Sequence, residues 1–287
     1  MRYRLLRFPE GKPKALTLSY DDGIKTDIQL AEILNQYGLK ATFNINCFFM
    51  EDPVPEGRLT AEDIRKYLLD AGHEVAIHGE DHVAPGIVTP ATGIRDVLNC
   101  RLRMEEVFSR IINGMAYPDC GITVLSGDST KEQIKDYLKM LGICYARTLG
   151  GDNNTFDLPK DWYEWMPTAH HNNPALQEYL REFLDLKIDT AYAGRARPRL
   201  FYVWGHSSEF VRDQNWEVIE NLAKTASSHS DVWFATNMEI YDYVQAYHSL
   251  VYSADNRIVY NPTLREVWFY IDGKTDSVKP GETRILW

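Results

Sequence analysis

Hydrophobic and polar positions along this chain change period repeatedly. Short apolar, β-prone runs alternate with longer stretches whose apolar residues recur every three or four positions, the mark of amphipathic helices. The run Ala15 to Leu18 reads as a buried strand, and residues 14–23 end in two adjacent carboxylates and a glycine, Asp21-Asp22-Gly23. Residues 26–37 read as a helix with Ile28, Leu30, Ala31, Ile33, Leu34 and Tyr37 as its stripe and Gly38 as C-cap. Residues 41–46 form the next strand. Thr60 caps a helix carrying Ile64, Leu68 and Leu69, and residues 73–77 form a third strand that stops at His78. Helices follow at about 91–112, 130–141, 176–186 and 215–226, with strands at 114–118, 143–148, 200–204 and 232–235, then a helix to about Leu250.

Strands thus alternate with helices at least seven times, which predicts parallel βαβ units. Asp21 and Asp22, His78, Tyr117 and His206 all fall just after strand ends, and in a parallel barrel or doubly wound sheet those ends share one face. From about Tyr252 the pattern becomes short strands, at 257–260, 266–271 and 283–287, separated by Asn261-Pro262, Asp272-Gly273 and Pro280-Gly281. The expected division is an α/β unit over residues 1–251 and a β tail over 252–287. Such a tail is too small to be independent, so it packs on the main unit or serves as a contact in a homo-oligomer.

Composition narrows the partners. In 287 residues there are 31 Lys plus Arg against 41 Asp plus Glu, a formal charge of −10. That balance argues against nucleic acid and anionic membranes as partners. The four cysteines, Cys47, Cys100, Cys120 and Cys144, are widely spaced, so neither a zinc knuckle nor a disulfide framework is expected. With no apolar leader at the N-terminus and no run long enough for a membrane span, the expectation is a cytoplasmic protein with reduced thiols.

Adjacent carboxylates repel each other, and a cation beside them explains the pair, although Asp-Asp-Gly is also ordinary turn chemistry. His78 and His82 are four residues apart, so both imidazoles can reach one ion. A His-His-carboxylate set at converging strand ends is a zinc-type site with positions left open for water and substrate.

These stretches resemble the polysaccharide deacetylases, carbohydrate esterase family four. That family has a strand ending Thr-Phe-Asp-Asp-Gly, here Ser19-Tyr20-Asp21-Asp22-Gly23, and a His-Ser/Thr-x-x-His motif, here His78-Gly79-Glu80-Asp81-His82. Met115-Ala116-Tyr117-Pro118-Asp119-Cys120-Gly121 is similar to a third motif, with one extra residue before the glycine. Phe201-Tyr202-Val203-Trp204-Gly205-His206 matches a late strand ending in a catalytic histidine. The resemblance implies a distorted (β/α) barrel of about seven parallel strands over roughly residues 14–250. It implies a divalent metal, zinc by preference, on Asp22, His78 and His82, with Asp21 as base and His206 as acid. Tyr117, Pro118 and Asp119 take the substrate side, the Asp119 N–H completing an oxyanion hole.

Three departures stand out. Gly79 replaces the Ser or Thr that supports the histidine loop. The arginine that holds the catalytic aspartate in the third motif is missing; Arg147 is the candidate stand-in, with a surface ion pair as the alternative. Asp161-Trp162 matches poorly the motif that orients the catalytic histidine. The expected activity is removal of acetyl groups from an N- or O-acetylated sugar, a carbohydrate or small-molecule substrate. Hydrolysis of a small cyclic amide and non-catalytic carbohydrate binding are the competing readings. The intact Asp21, Asp22, His78, His82 and His206 set speaks against the last.

Overall fold

In Lys14–Asp21 the side chains alternate: Leu16, Leu18 and Tyr20 are large and apolar, while Ala15, Thr17, Ser19 and Asp21 are small or polar. A strand with that period presents one face to covering helices and the other to a narrow interior. The computed structural model describes residues 3–149, 153–188 and 195–286. Its strands are β1 (Arg4–Arg7), β2 (Lys14–Asp21), β3 (Thr42–Ile45), β4 (Glu74–Ile77), β5 (Gly114–Ala116), β6 (Tyr145–Arg147), β7 (Ala169–His170), β8 (Arg199–Gly205) and β9 (Val232–Phe234). After these come β10 (Val251–Tyr252), β11 (Ile258–Tyr260), β12 (Val267–Ile271), β13 (Lys274–Val278) and β14 (Thr283–Ile285).

One parallel sheet runs in the order β6-β5-β4-β3-β2-β8-β7. β8 lies along nearly the whole of β2, from Lys14 beside Arg199 to Tyr20 beside Gly205. The other edge of β2 is shared: β9 pairs with Lys14–Leu16 and β3 with Ser19–Asp21. The sheet curls until Trp165, ahead of β7, forms a parallel bridge to Arg147 of β6. The result is the expected distorted (β/α) barrel of about seven parallel strands: among the described residues seven follow one another along the path, and β9 pairs with β2 beside it.

The period of two divides inside from outside all the way round. Leu16, Leu18, Tyr20, Phe43, Ile45, Val75, Ile77, Phe201 and Val203 join the helices in the large apolar core. The intervening residues line the interior and pair with one another there. Thr17 Oγ1 donates to Asn237 Oδ1 (2.9 Å), Thr42 Oγ1 to Glu74 Oε2 (2.8 Å) and the Tyr145 hydroxyl to Glu74 Oε1 (2.5 Å). Buried polar groups satisfied in this way hold the barrel in one register.

The expected helices are present with adjusted ends. Thr60, Thr130 and Thr236 each begin a helix with a reciprocal capping box. Pro90–Phe108 ends early because Ser109 turns left-handed at φ 52. Residues 207–212, for which no helix was expected, form the helix Ser207–Arg212.

The C-terminal strands were expected to be three. They are β10 to β14, and they form two sheets, β10-β11-β14 and β1-β12-β13. β12 pairs antiparallel with β1, from Arg4 beside Ile271 to Arg7 beside Trp268. Val259, Val267, Phe269, Ile271, Val278 and Leu286 bury together with Ala246 and Leu250. The last position of the expected strand 283–287, Trp287, lies outside the described residues. No described helix is long and apolar enough to cross a membrane, and the four cysteines are free.

Truncation after Leu250 strips β1 of its partner and uncovers Ala246 and Leu250. We predict a lowered melting temperature and poorer solubility for that variant, measured by thermal unfolding. An unchanged transition would show that the tail contributes nothing to the barrel.

Candidate functional site

The strand ends meet at one mouth of the barrel. Asp21, Asp22, His78, His82, Tyr117, Asp119, Leu149, Trp204 and His206 surround a cavity of about 210 Å³. A larger cavity of about 510 Å³, near Tyr3, Arg4 and Tyr247, has no carboxylate in its lining.

Asp21 is the last residue of β2 and keeps the inward direction of Thr17 and Ser19. It is 2% exposed. Its Oδ2 is in contact with an Arg147 guanidinium nitrogen, and its Oδ1 accepts from Asn44 Nδ2 at 2.8 Å. Burial alone raises the pKa of this carboxyl. The Arg147, His78 and His206 charges and the Asn44 hydrogen bond outweigh burial together, so the pKa lies below the ordinary carboxylate value. Arg147 is fully buried, with its guanidinium 4.6 Å from the centre of the Trp204 ring. It is therefore no surface ion pair.

Asp22 leaves the strand. Its backbone is left-handed at φ 86, a conformation that aspartate tolerates better than most residues. Arg58 holds its carbonyl at 2.6 Å. The side chain faces away from Asp21, and its Oδ1 lies 3.7 Å from His78 Nε2 and 3.4 Å from His82 Nε2. That oxygen is buried and has no hydrogen-bond partner. His78 Nδ1 is 3.0 Å from the Ala116 carbonyl. A carbonyl only accepts, so the proton sits on Nδ1 and the Nε2 lone pair faces Asp22 and His82. Burial pushes the His78 pKa down, which keeps that lone pair available. An orphaned carboxylate oxygen opposite the His78 lone pair and a second imidazole nitrogen, His82 Nε2, is a donor set that fits one divalent cation.

The loop carrying His82 is held in an unexpected way. Gly79 is left-handed at φ +80, and a Cβ there would lie 2.4 Å from Asp96 Oδ2. Asp96, on the helix Pro90–Phe108, accepts from the Asp81 N–H at 2.8 Å, and its carbonyl accepts from the Glu80 N–H at 3.2 Å. A carboxylate from another element thus supports the loop where the Ser or Thr side chain is absent.

Across the cavity, His206 Nε2 is 4.0 Å from Asp21 Oδ2 and its Nδ1 is 3.7 Å from Glu209 Oε1. Burial by itself lowers the His206 pKa; Glu209, Asp21 and Asp22 outweigh it and raise the pKa above the ordinary imidazole value. Tyr117 lines the cavity while its hydroxyl is committed to the Tyr163 carbonyl at 2.9 Å. Pro118 has no N–H. That of Asp119, at φ 48, makes no hydrogen bond to the described backbone.

The sequence model of the polysaccharide deacetylase family matches residues 8–138. The match covers a little under half of the chain. The matched segment contains Asp21, Asp22, His78, His82 and Tyr117 to Asp119, while Arg147 and His206 lie beyond it. A chitin disaccharide deacetylase from Vibrio alginolyticus is 38% identical over 72 residues, which are 25% of this chain and 17% of that protein. Among solved structures, a Mycobacterium smegmatis protein assigned to the polysaccharide deacetylases has a TM-score of 0.56 at 16% identity, over 85% of this chain and 94% of that one. A probable polysaccharide deacetylase from Pseudomonas aeruginosa PAO1 has a TM-score of 0.53 at 14% identity, over 82% and 92% of the two chains. At such identities these likenesses concern the fold alone, and they carry the polysaccharide deacetylase fold past residue 138.

One expectation drawn from the family fails. Asp161 pairs with Lys135 at 2.8 Å and caps a short turn, and Trp162 packs on Trp165 and Tyr241. Neither lines the cavity beside His206. The carboxylate beside that histidine is Glu209, which the sequence reading missed. Its signal was the spacing His206 to Glu209, three residues apart on one turn once residues 207–212 are read as a helix. Asn44 and Asp96 were missed as well, because each acts on residues distant in the chain.

Replacing Arg147 by Met leaves a buried carboxylate without its cation, a loss of about 3–5 kcal/mol near neutral pH. Asp21 has a lowered folded pKa, so its stabilising contribution is present above the ordinary carboxylate value and lost as pH falls through the folded value. The Arg147→Met penalty, measured by denaturant unfolding, should therefore shrink toward acid pH as Asp21 protonates. A pH-independent penalty would mean that Arg147 acts through packing alone. Gly79→Ala should displace the loop and weaken metal retention by roughly 10–100-fold, measured by competition with a chelator.

Proposed function

We propose that this protein is a metal-dependent deacetylase that removes an acetyl group from an N- or O-acetylated sugar. The observation that carries the reading is the separation of neighbouring carboxylates: Asp22 faces the Nε2 atoms of His78 and His82, and Asp21, tied to Arg147, shares the cavity with His206. The family match over residues 8–138 supports it, as does the likeness to a chitin disaccharide deacetylase. A cavity of about 210 Å³ has room for an acyl group and leaves the sugar ring at the mouth. A binding module has no use for a buried ionised carboxylate opposite a histidine of raised pKa.

Asp22, His78 and His82 would hold the ion, and we assign zinc because two imidazoles and one carboxylate suit it. When bound, the ion supplies Lewis-acid polarisation of the acyl oxygen and lowers the pKa of an attacking water. Asp21 is ionised at neutral pH and takes the water's proton. The Asp119 N–H offers a hydrogen bond to the oxyanion. His206, on the opposite side and with its pKa raised, would donate a proton to the departing amine or alcohol. Trp204 and Leu149 flank the acyl group and limit access of bulk water.

Elemental analysis of purified protein, together with an acetate-release screen over acetylated sugars, tests the proposal. One zinc per chain is expected. His78→Ala and Asp22→Asn should lose the ion, whereas Asp21→Asn should keep it and lose kcat by ~100-fold or more. An activated aryl acetate should restore turnover to His206→Ala, because its leaving group departs without a proton, but not to Asp21→Asn. Full metal content in His78→Ala, or metal loss in Asp21→Asn, would sink the assignment.

A further inference from the structure

The two imidazoles that face Asp22 are held very differently. His78 is packed in: its side chain is 2% exposed and its Nδ1 meets the Ala116 carbonyl at 3.0 Å. His82 has no such seat. Its backbone is left-handed at φ 55, its side chain is 29% exposed, and its ring meets His78 edge-on, with ring centres 4.8 Å apart. A ligand placed like this needs a polar partner at Nδ1 to fix which way the ring faces and where its proton sits. Among the described residues one group stands there: Asp119 Oδ1, 3.7 Å from His82 Nδ1.

We propose that the Asp119 side chain is a positioning residue for His82: its carboxylate takes the hydrogen bond from Nδ1 and so turns the Nε2 lone pair toward Asp22 and the ion. The proposal rests on the ion site of the functional reading and not on its acetylated substrate. It is separate from the backbone of the same residue, whose N–H serves the oxyanion.

The sequence explains how a carboxylate arrives there. Asp119 lies in the turn that carries one residue more before Gly121 than the family's third motif. Its backbone is left-handed at φ 48, which aspartate tolerates. The Gly121 N–H closes the turn on the Pro118 carbonyl at 3.2 Å. The turn is pinned beside the end of β6: the Ile122 N–H donates to Thr148 Oγ1 at 3.2 Å, and a Cβ on Gly121 would lie 2.6 Å from that oxygen. One segment, β5 and its loop, thus puts an oxygen behind each imidazole, the Ala116 carbonyl behind His78 and the Asp119 carboxylate behind His82.

Asp119 faces the Nδ1 side of the His82 ring, while Asp22 faces Nε2 at 3.4 Å. Asp119 is therefore placed to back the ligand rather than to be one. At 3.7 Å the two groups make a charge contact, longer than a hydrogen bond. An imidazole that gives Nε2 to a cation becomes a stronger donor at Nδ1–H, which draws a carboxylate into hydrogen-bond range. The Asp119 side chain is 58% exposed, so its removal strands no buried charge and the fold should survive.

Two readouts on the full chain test this: zinc affinity by competition with a chelator, and the exchange of the histidine Nδ1 protons by NMR of the zinc-loaded protein. Asp119→Ala should weaken zinc retention by roughly 10–100-fold. It should also speed exchange of the His82 Nδ1 proton while that of His78, on the Ala116 carbonyl, is unchanged. A general loosening of the site would not separate the two histidines. Asp119→Asn keeps a residue that tolerates the left-handed backbone and an oxygen that accepts, so it should recover part of the loss. Unchanged zinc affinity in Asp119→Ala overturns the proposal, as does an Asp119→Asn variant no better than Asp119→Ala, or equal change at both histidines. Wild-type protein that holds zinc but releases no acetate sinks the deacetylase reading alone, and the affinities still judge Asp119. Wild-type protein that holds no zinc overturns both. Should Asp119→Ala not fold, the zinc-loaded wild type decides: a His82 Nδ1 proton protected from exchange supports the proposal, and an unprotected one, or zinc bound at Nδ1, overturns it.

Discussion

Asp21 and Arg147 meet across the mouth of the barrel, and the site depends on that meeting. They stand on β2 and β6, which β3, β4 and β5 separate along the sheet, so their contact exists only because the sheet curls. Neither residue has solvent to fall back on, and a buried charge that loses its partner is among the costliest defects a fold can carry. The small polar residues of the inner face, Thr17, Ser19 and Asn44, leave room for the long arginine to reach across. With Asp21 held inward, the next residue has to turn elsewhere. Asp22 does so by adopting a left-handed backbone, and that turn delivers its carboxylate to His78 and His82. One ion pair therefore separates two adjacent, identical side chains into different environments.

Much of this was legible in the chain, and the limits have physical causes. The period of two in residues 14–21, the strand ends at Asp21, His78 and Tyr117, and the capping threonines are local features, and they read correctly. β7 has only two residues, too few to show a period, which explains why one parallel strand escaped notice. β1 escaped because Arg4 and Arg7 bracket just two apolar residues; its identity comes from β12, at the far end of the chain. Arg147 could be named as a candidate, but its partner lies 126 residues away, and nothing local shows which side of the barrel it faces. Asp161-Trp162 misled for the opposite reason: a local likeness was present, but the fold spends those residues on Lys135 and an aromatic cluster.

The departures from the family pattern share a logic. Where Gly79 removes a side chain from the histidine loop, Asp96 supplies a carboxylate from the following helix, and the glycine makes the space for it. Where the third motif lacks its arginine, Arg147 provides a guanidinium from the next strand. Where Asp161 is absent from the cavity, Glu209 stands beside His206. In each case a charged or hydrogen-bonding group is present, delivered by a different element from the one the resemblance implies. Physical chemistry constrains what must face Asp21, the His78 loop and His206, but not which element delivers it.

The proposed chemistry requires Asp22, His78 and His82 to hold one ion while Asp21 stays on Arg147. Anomalous diffraction at the zinc edge from crystals of the zinc-loaded protein tests it most directly. A single peak bound by Asp22, His78 and His82 is expected, with the Asp21 carboxylate still paired with Arg147. A peak coordinated by Asp21, or one placed among His170, His171 and Glu209, would contradict it.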